Sequence, residues 1–280
     1  MKSKTTYPIA LSIAGSDSCG GAGIQADLKT FSALGVYGAT AITALTAQNT
    51  QGVHSQLAVP AEMVHDQIVA VLEDLQPSVV KIGMLCNVAI VHAVADVLSN
   101  YSLPIVLDPV MVSSSGHRLL SSDAQELLKQ RLLPMASLLT PNIPEMTTLT
   151  GIDLSNDEAK TTAAKQLLTS GAKAVLIKGG HEEGDRKSDI LFSLSECGIT
   201  SKTYTSESIT TRNIHGTGCT LSAAIAAFIA RGECLEQAIA KAKDYITEAI
   251  RTGAEVEIGK GIGPVNHNFN PQKSIIHVIK

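Results

Sequence analysis

The residues best suited to chemistry lie in a short segment of the last third of the chain, where a cysteine follows two glycines. Gly216, Gly218 and Cys219 precede an alanine-rich apolar stretch that predicts a helix. The first N–H groups of a helix lack intrahelical partners and carry the positive end of its dipole, so this segment, with Thr217, could surround a phosphate. The same field would favour a thiolate at Cys219. The segment predicts an anion-binding loop that carries a thiol, although most free cysteines are merely small buried side chains.

Polar side chains after other predicted strands are suited to a metal and to phosphates. Asp108 and Glu145 could hold Mg²⁺ directly or through water. Asp108 also begins Asp-Pro, a common turn, and Glu145 could equally belong to a helix-capping segment with Asn142. Lys178 ends an apolar run and precedes two glycines, where a solvated lysine is seldom found. It is therefore predicted to place a positive charge near nucleotide phosphates.

Several other residues allow a binding role and a structural role alike. The glycines at 20–23 follow a predicted strand and form either a tight turn or a binding loop. They match neither a Walker A loop nor the G-x-G-x-x-G dinucleotide pattern. Gln48 has an amide that could pair with the edge of an aminopyrimidine, or could simply be solvated in a loop. His181 and His215 are as suited to hydrogen bonding within loops as to catalysis.

The elements that must position these residues alternate between short β-branched runs and longer stretches of 3.6-residue period. This pattern predicts an α/β fold whose parallel strands are joined by right-handed crossovers. The predicted strands are 8–14, 79–84, 105–107, 137–140 and 174–178. The predicted helices are 24–34, 61–75, 87–99, 122–133, 157–170, 220–231 and 235–251.

Ligands of such a sheet bind beyond the carboxyl ends of its strands. Gly15, Met84, Asp108 and Asn142 all follow predicted strands, so the motifs are expected to meet in one cleft. Residues 189–211 differ from the rest, because they alternate like strands on either side of a glycine. They predict an antiparallel hairpin that leads into the anion-binding loop.

Composition limits the partners and the compartment. The 280 residues are 44% apolar and 17% charged, and no linker interrupts them, so one domain over residues 1–280 is predicted. A net charge of −4, without a basic block, argues against nucleic acid as a partner. Neither a signal-type start nor a bilayer-length apolar run is present, so a cytoplasmic protein without a membrane partner is expected. The cysteines form no C-x-x-C pair and are expected to be reduced; they are Cys19, Cys86, Cys197, Cys219 and Cys234.

These motifs resemble those of the ribokinase-like small-molecule kinases, and in particular the branch that phosphorylates hydroxymethylpyrimidine on the way to thiamine. That branch carries His-Gly-Thr-Gly-Cys-Thr, whereas most ribokinase-like enzymes have an aspartate in place of the cysteine. The cysteine is also found in one type of pyridoxal kinase. The resemblance covers roughly residues 8 to 265, and beyond the segment 213–222 it includes the segments 14–27, 47–53, 81–84, 108–111, 140–142 and 178–181.

The resemblance implies a three-layer sandwich with a central, mostly parallel sheet, and a kinase that uses ATP and Mg²⁺. The implied substrates are 4-amino-5-hydroxymethyl-2-methylpyrimidine and then its monophosphate, which becomes the diphosphate. Cys219 would lie near the substrate hydroxyl as a candidate general base. The other residues implied to contact the substrate are Gly15, Asp27, Gln48, Met84 and Val110, and those implied to contact ATP are Asn142, Thr217 and Lys178. Asp108 and Glu145 match the metal positions, and a homodimer is expected.

Other functions stay open at this point. A pyridoxal kinase of the cysteine type is the nearest alternative, because pyridoxal also presents a ring hydroxymethyl group. Gln48 favours the pyrimidine. A non-catalytic metabolite sensor on the same fold would bind ligands without forming ADP. A hydrolase with Cys219 as nucleophile and His215 as its partner would work without ATP.

Overall fold

The structure is a computed structural model that describes residues 5–112, 116, 119–180, 184–195 and 198–278, with side chains described as far as residue 276. His181 and Cys197 therefore lie outside the described residues. The strands are β1 Thr5–Thr6, β2 Ile9–Asp17, β3 Tyr37–Asn49, β4 Gly52–Ala58, β5 Val79–Ile82, β6 Ile105–Leu107, β7 Leu138–Leu139, β8 Ala174–Ile177, β9 Arg186–Ser195, β10 Gly198–Glu207 and β11 His277–Val278.

Helices alternate with these strands. They are α1 Gly23–Ala33, α2 Ala61–Asp74, α3 Val88–Leu98, α4 Ser122–Arg131, α5 Ile143–Thr150, α6 Asp157–Thr169, α7 Thr217–Ala230 and α8 Leu235–Gly253, with a short 3₁₀ helix at Leu133–Met135. Side chains of Asn87, Ser121, Asn142 and Asn156 accept from the first-turn N–H groups of α3 to α6. Such caps satisfy donors that the helix itself leaves open, and they explain why these helices begin there.

Nine strands form one sheet in the order β10-β9-β8-β7-β6-β5-β2-β3-β4. The strands from β8 to β3 in this order are parallel, as predicted, whereas β4 at one edge and β9 and β10 at the other are antiparallel. The hairpin predicted within residues 189–211 is confirmed as β9 and β10, in which Ser195 pairs with Gly198. Strands β1 and β11 form a separate two-stranded sheet.

Helices cover both faces of the nine-stranded sheet, which completes the expected three-layer sandwich. One face packs against α2 to α6 through residues such as Ile68, Ile90 and Leu167. The other packs against α1, α7 and α8 through residues such as Phe31 and Ile239. Strands β5 to β8 are buried throughout, as apolar strands between two helix layers must be. Across the described residues, no helix is long and apolar enough to cross a membrane.

Two regions differ from the predicted elements. The pair β3 and β4 was absent from the prediction, because alanines interrupt the β-branched residues of β3. Gln48 consequently lies on a strand rather than in a loop, and it pairs with Val53 next to a register shift that follows Ala47. Helix α5 was foreseen only as a capping segment, and α7 begins at Thr217 rather than at residue 220.

A buried histidine makes the stability of the fold sensitive to acid. His267 is 5% exposed, and its Nε2 lies 2.9 Å from Oγ1 of Thr220 on α7. Burial lowers the pKa of His267 to about 4. The unfolded chain binds this proton near pH 6.5, so His267 should lower the free energy of unfolding by about 3 kcal/mol as the pH drops from 6.5 to below 4, whereas Glu145, with its raised pKa, acts in the opposite direction.

Urea unfolding of the wild type and of His267→Gln over this pH range checks the expectation. The variant should lack the loss that His267 causes, so the stability of the wild type relative to the variant should fall by about 3 kcal/mol over this range. His65→Gln is the matched control, because the side chain of His65 is 48% exposed. If His267→Gln kept the pH dependence of the wild type, another buried group would have to account for it.

Candidate active site

The start of α7 is an uncapped helix end. Gly216 is the N-cap with a φ of +79°, and no side chain caps the helix. A Cβ at this position would strike the carbonyl oxygen of Gly21, so only glycine fits. The N–H of Thr217 donates to the carbonyl of Ile214 at 3.2 Å, but within the described part of the chain the N–H groups of Gly218 and Cys219 have no acceptor. Two open donors at a helix start agree with the predicted anion-binding loop.

The ionisation state of Cys219 corrects one expectation. The pKa of the Cys219 thiol is raised to about 11, mainly by burial and also by the charges of Asp108 and Asp27, while Lys81 and the N–H of Gly23 oppose the increase. Burial outweighs the favourable charges. Cys219 is therefore a neutral thiol at pH 7, not the thiolate that the helix start alone predicts.

Lys178 is positioned between the two carboxylates that the sequence singled out. Its Nζ lies 2.7 Å from Oδ1 of Asp108 and 3.9 Å from Oε2 of Glu145. A Cβ on Gly218 would lie 3.3 Å from this Nζ, so the ammonium group reaches the open start of α7. The predicted positive charge and the predicted anion-binding loop thus belong to one site.

The carboxylate of Asp108 is buried and fully partnered. Besides Lys178, it accepts from the hydroxyls of Thr140 at 3.2 Å and Ser222 at 3.1 Å. Burial alone would raise the pKa of Asp108, but the ammonium groups of Lys178 and Lys81 hold it below its usual value. Each oxygen of Asp108 already accepts at least one hydrogen bond, and its predicted contact with Mg²⁺, directly or through water, stays a prediction.

Glu145 belongs to the cap of α5, which was one of its two predicted roles. Its Oε2 accepts from the N–H of Asn142 at 2.8 Å, and its own N–H donates to Oδ1 of Asn142 at 2.8 Å. Burial raises the pKa of Glu145 to about 7, and Asp108 adds to the increase while Lys178 opposes it. The ammonium group of Lys178 does not balance the charges of both Asp108 and Glu145. A further cation would therefore stabilise the ionised form of Glu145. Asn142, predicted to contact ATP, uses its side-chain oxygen Oδ1 for the cap of α5.

A second buried ion pair anchors the segment that follows Lys178. The N–H of Gly179 donates to Oδ1 of Asp189 at 3.0 Å, and Oδ2 of the same residue lies 2.7 Å from Nζ of Lys243 on α8. The backbone N–H of Lys178 donates to the carbonyl of Pro141 at 2.9 Å. The end of β8 is therefore held by contacts on two sides. The pairing of Asp189 with Lys243 was not predicted, because an aspartate and a lysine in apolar surroundings were its only signal in the sequence.

The carboxylate of Asp27 is buried and paired, and its predicted contact with the substrate stays a prediction. Its side chain is 0% exposed and accepts from Nζ of Lys81 at 2.8 Å and from Oγ of Ser12 at 2.5 Å. Lys81 in turn acts electrostatically on Cys219. Sequence reasoning missed this lysine, although a lysine inside an otherwise apolar strand was the available signal.

The apolar residues predicted to flank a ring do come together. Met84 forms a small buried cluster with Ala44 and Leu119, and Val110 packs against it. A Cβ on Gly15 would lie 2.9 Å from the sulfur of Met84, so the strand passes this side chain closely at a glycine.

The first glycine-rich loop is organised by Asp17, a residue that sequence reasoning also missed. Its carboxylate accepts from the N–H groups of Cys19 at 2.8 Å, Gly21 at 3.0 Å and Ala22 at 2.8 Å. It also accepts from Nε2 of His215 at 2.8 Å. Burial would raise the pKa of Asp17, but these hydrogen bonds, led by that of His215, hold it below its usual value.

His215 is therefore a hydrogen-bonding residue that joins the first loop to the start of α7. The ligand atoms of Asp17, Cys19 and His215 lie within 4.8 Å of one another, a grouping that a metal ion could use. The four hydrogen bonds to Asp17 explain the grouping without one. The side chain of His215 also lies 3.3 Å from the amide of Gln48, which makes Gln48 a partnered side chain rather than a solvated one.

The fold and the site together define a small-molecule kinase of the ribokinase-like class. A phosphomethylpyrimidine kinase from Clostridium difficile 630 has a similar structure, with a TM-score of 0.76 and 44% identity over 86% of this chain and 99% of its own. A pyridoxal kinase from Staphylococcus aureus, in complex with AMP-PCP and pyridoxal, gives a TM-score of 0.85 with 31% identity over 98% of this chain and 99% of its own.

Sequence comparison narrows the class. The family model for phosphomethylpyrimidine kinase matches residues 17–266. The hydroxymethylpyrimidine/phosphomethylpyrimidine kinase of Rhizobium meliloti (strain 1021) is 51% identical over 260 residues, which are 92% of this chain and 96% of that relative. The chain belongs to the phosphomethylpyrimidine kinase family and is a phosphotransferase, and the resemblance drawn from the motifs is confirmed.

Proposed function

We propose that this chain transfers the γ-phosphoryl group of ATP to 4-amino-5-hydroxymethyl-2-methylpyrimidine, and then a second phosphoryl group to the monophosphate, in thiamine biosynthesis. The observation that carries the proposal is the approach of the Lys178 ammonium group to the two open N–H groups at the start of α7. The name of the Rhizobium meliloti relative includes both activities, and the structural neighbour with AMP-PCP supports ATP as the donor.

The proposed chemistry depends on positioning and charge, which is what phosphoryl transfer mainly requires. The N–H groups of Gly218 and Cys219 would bind phosphate oxygens, and Lys178 would offset their charge. Cys219 stays the candidate base for the hydroxyl, but its raised pKa limits the thiolate to a small fraction at neutral pH. Asn142 and the Thr217 hydroxyl are proposed to contact ATP, and Gly15, Gln48, Met84 and Val110 to contact the ring.

Mg²⁺ fits the charge balance of this site. The pKa of Glu145 is raised to about 7 beside Lys178, so its ionised form lacks compensating charge that a cation would supply. Glu145 would hold the ion directly or through water, and Asp108 would act from behind through Lys178. When bound, Mg²⁺ would neutralise charge on the transferring phosphates.

Replacing Glu145 with glutamine should raise the Mg²⁺ concentration needed for half-maximal activity by roughly 10–100-fold. The glutamine carbonyl can still accept from the N–H of Asn142, so the cap of α5 is kept while the charge is lost. Magnesium titrations of the kinase activity measure the effect. Glu126→Gln is the matched control, because the side chain of Glu126 on α4 is exposed. If Glu145→Gln and the wild type needed the same Mg²⁺ concentration, Glu145 would serve only to cap α5.

The proposed function is tested by incubating the purified protein with ATP and each ring substrate and following ADP and phosphate esters by ³¹P NMR. Formation of the monophosphate and then the diphosphate of the aminopyrimidine is expected. Faster turnover of pyridoxal would favour the pyridoxal kinase that the Staphylococcus aureus neighbour represents. Binding without ADP formation would indicate a sensor, and turnover without ATP would indicate a hydrolase.

We further propose one cytoplasmic domain that forms a homodimer and uses neither nucleic acid nor membrane as a partner. The net charge of −4 supports the last point. Leu45 and Leu57 face each other across β3 and β4 near the sheet edge and are 47% and 66% exposed, which supports a second copy of the chain as their cover. Light scattering of the wild type and of Leu57→Lys tests the dimer.

A further inference from the structure

The side-chain amide of Gln48 lies between two groups whose hydrogen-bonding directions are fixed by other residues. The structure places Nε2 of Gln48 3.3 Å from Nε2 of His215, and Oε1 of Gln48 3.3 Å from Oγ1 of Thr46. The oxygen and nitrogen of an amide have nearly the same shape, so their positions follow from the partners that each end meets.

The partner at the first end is a donor. Asp17 is ionised and already accepts three backbone N–H groups, and Nε2 of His215 lies 2.8 Å from its Oδ2. A carboxylate has no proton to give, so Nε2 of His215 must carry the hydrogen, whether the ring is neutral or charged. That one hydrogen points to Asp17 and can be shared with Gln48 only at the longer distance of 3.3 Å, but a protonated Nε2 has no lone pair for an NH₂ group. The end of the Gln48 amide that faces His215 is therefore the oxygen, with the two amide atoms exchanged relative to their placement in the structure.

The partner at the second end is an acceptor. The hydroxyl of Thr46 has one proton, which it donates to the carbonyl of Ser16 at 2.8 Å. Its oxygen can only accept from Gln48. The NH₂ group of Gln48 therefore faces Thr46, and the two ends agree on one orientation. After these contacts the amide still has one lone pair and one N–H to offer to a ligand.

The surroundings prevent this arrangement from relaxing. The hydroxyl of Ser18 accepts from the N–H of Gln48 at 2.8 Å and donates to its carbonyl at 2.8 Å. His215 is 6% exposed, its backbone N–H donates to Gly263, and a Cβ on Gly21 would strike its ring. Both the amide and the imidazole are held in place before any ligand arrives.

We infer that His215 is a specificity-determining positioning residue, which fixes the Gln48 amide in one orientation and so selects the hydrogen-bonding pattern of the ring. A 4-aminopyrimidine edge offers a ring-nitrogen acceptor beside an amino donor. The analogue with a carbonyl in place of the amino group offers an N–H beside an acceptor, which is the reverse pattern. A freely turning amide would accept either ring, whereas a fixed one accepts only one. The inference rests on the proposed function, because that function places Gln48 at the ring.

The test compares the affinities of the amino ring and the oxo ring by calorimetry, together with kcat/KM for each. The wild type should favour the amino ring by on the order of tenfold or more. His215→Leu should reduce this ratio severalfold, because the amide can then turn. His215→Gln keeps a donor near the position of Nε2 and should retain most of the ratio. A merely structural role of His215 would weaken both rings alike and leave the ratio unchanged.

The possible outcomes are distinguishable. An unchanged ratio in His215→Leu overturns the inference, and so does a wild type that does not discriminate between the rings in binding. If His215→Leu does not fold, Thr46→Val releases the amide from its other end and should reduce the same ratio. A wild type that binds the amino ring selectively but forms no ADP would contradict the proposed function and leave the inference standing.

Discussion

Replacing Lys178 with methionine should lower kcat for both phosphorylations by at least about 10²–10³-fold, the loss typical of a donor that stabilises transition-state charge. The Lys178 ammonium group would lie 3.3 Å from a Cβ on Gly218, at the open start of α7. The same change leaves the buried carboxylate of Asp108 without its cation. The free energy of unfolding should therefore fall by about 3–5 kcal/mol. Steady-state kinetics and urea unfolding measure the two effects separately.

Two further variants separate catalysis from stability. Adding Asp108→Asn to Lys178→Met removes the unpaired charge, so the double variant should regain stability but not activity. Lys243→Met breaks a comparable buried pair with Asp189, which anchors Gly179 but leaves the ammonium group of Lys178 and its two carboxylates in place. It should destabilise the fold with a much smaller loss in kcat. Recovery of activity in the double variant would show that Lys178 acts only by supporting the fold.

Replacing Cys219 with alanine should slow phosphorylation of the alcohol by roughly 10²–10⁴-fold if the thiol is the general base. The second step should be spared, because a phosphate monoester with a pKa of about 6 is already ionised at pH 7. The raised pKa of Cys219, about 11, adds a second signature. The thiolate fraction increases about tenfold per pH unit below that pKa, so the wild-type rate from the alcohol should rise between pH 7 and about pH 9.5.

Single-turnover measurements from the alcohol and from the monophosphate check both signatures across this pH range. Cys234→Ala is the matched control, because Cys234 is an exposed cysteine at the N-cap of α8. Its rates should follow those of the wild type. Equal slowing of both steps in Cys219→Ala, with no change in the pH profile, would assign the thiol to the shape of the phosphate site.

Sequence patterns predicted the elements that are periodic and the residues that follow strand ends. The helices and the hairpin of β9 and β10 were found because apolar periodicity and turn residues are local signals. The same logic led to the expectation that Gly15, Met84, Asp108 and Asn142 meet in one cleft, since parallel strands end at one edge of a sheet. Strand β3 was not predicted, because its alanines pack well between neighbouring strands but are not strong strand formers.

The errors concern burial and pairing, which depend on residues that are distant in the chain. A helix start predicts a low pKa for Cys219, but desolvation of the thiol acts in the opposite direction and is larger. Asp27 matches a family motif, but its pairing with Lys81, 54 positions away, was not predicted. The role of Asp17 depends on His215, which lies 198 positions later. None of these partners can be paired from local spacing.

The contact between His215 and Asp17 bears on when kinase activity arises during folding. The first glycine-rich loop, with Asp17, is synthesised early. The imidazole of His215 that contacts Asp17, and the open N–H groups at the start of α7, are synthesised about 200 residues later. A nascent chain that stops at β10 already has all nine strands of the main sheet but lacks the open N–H groups at the start of α7. Phosphoryl transfer therefore becomes available only when the last third of the chain has docked, and recovery of kinase activity would report the final step of folding.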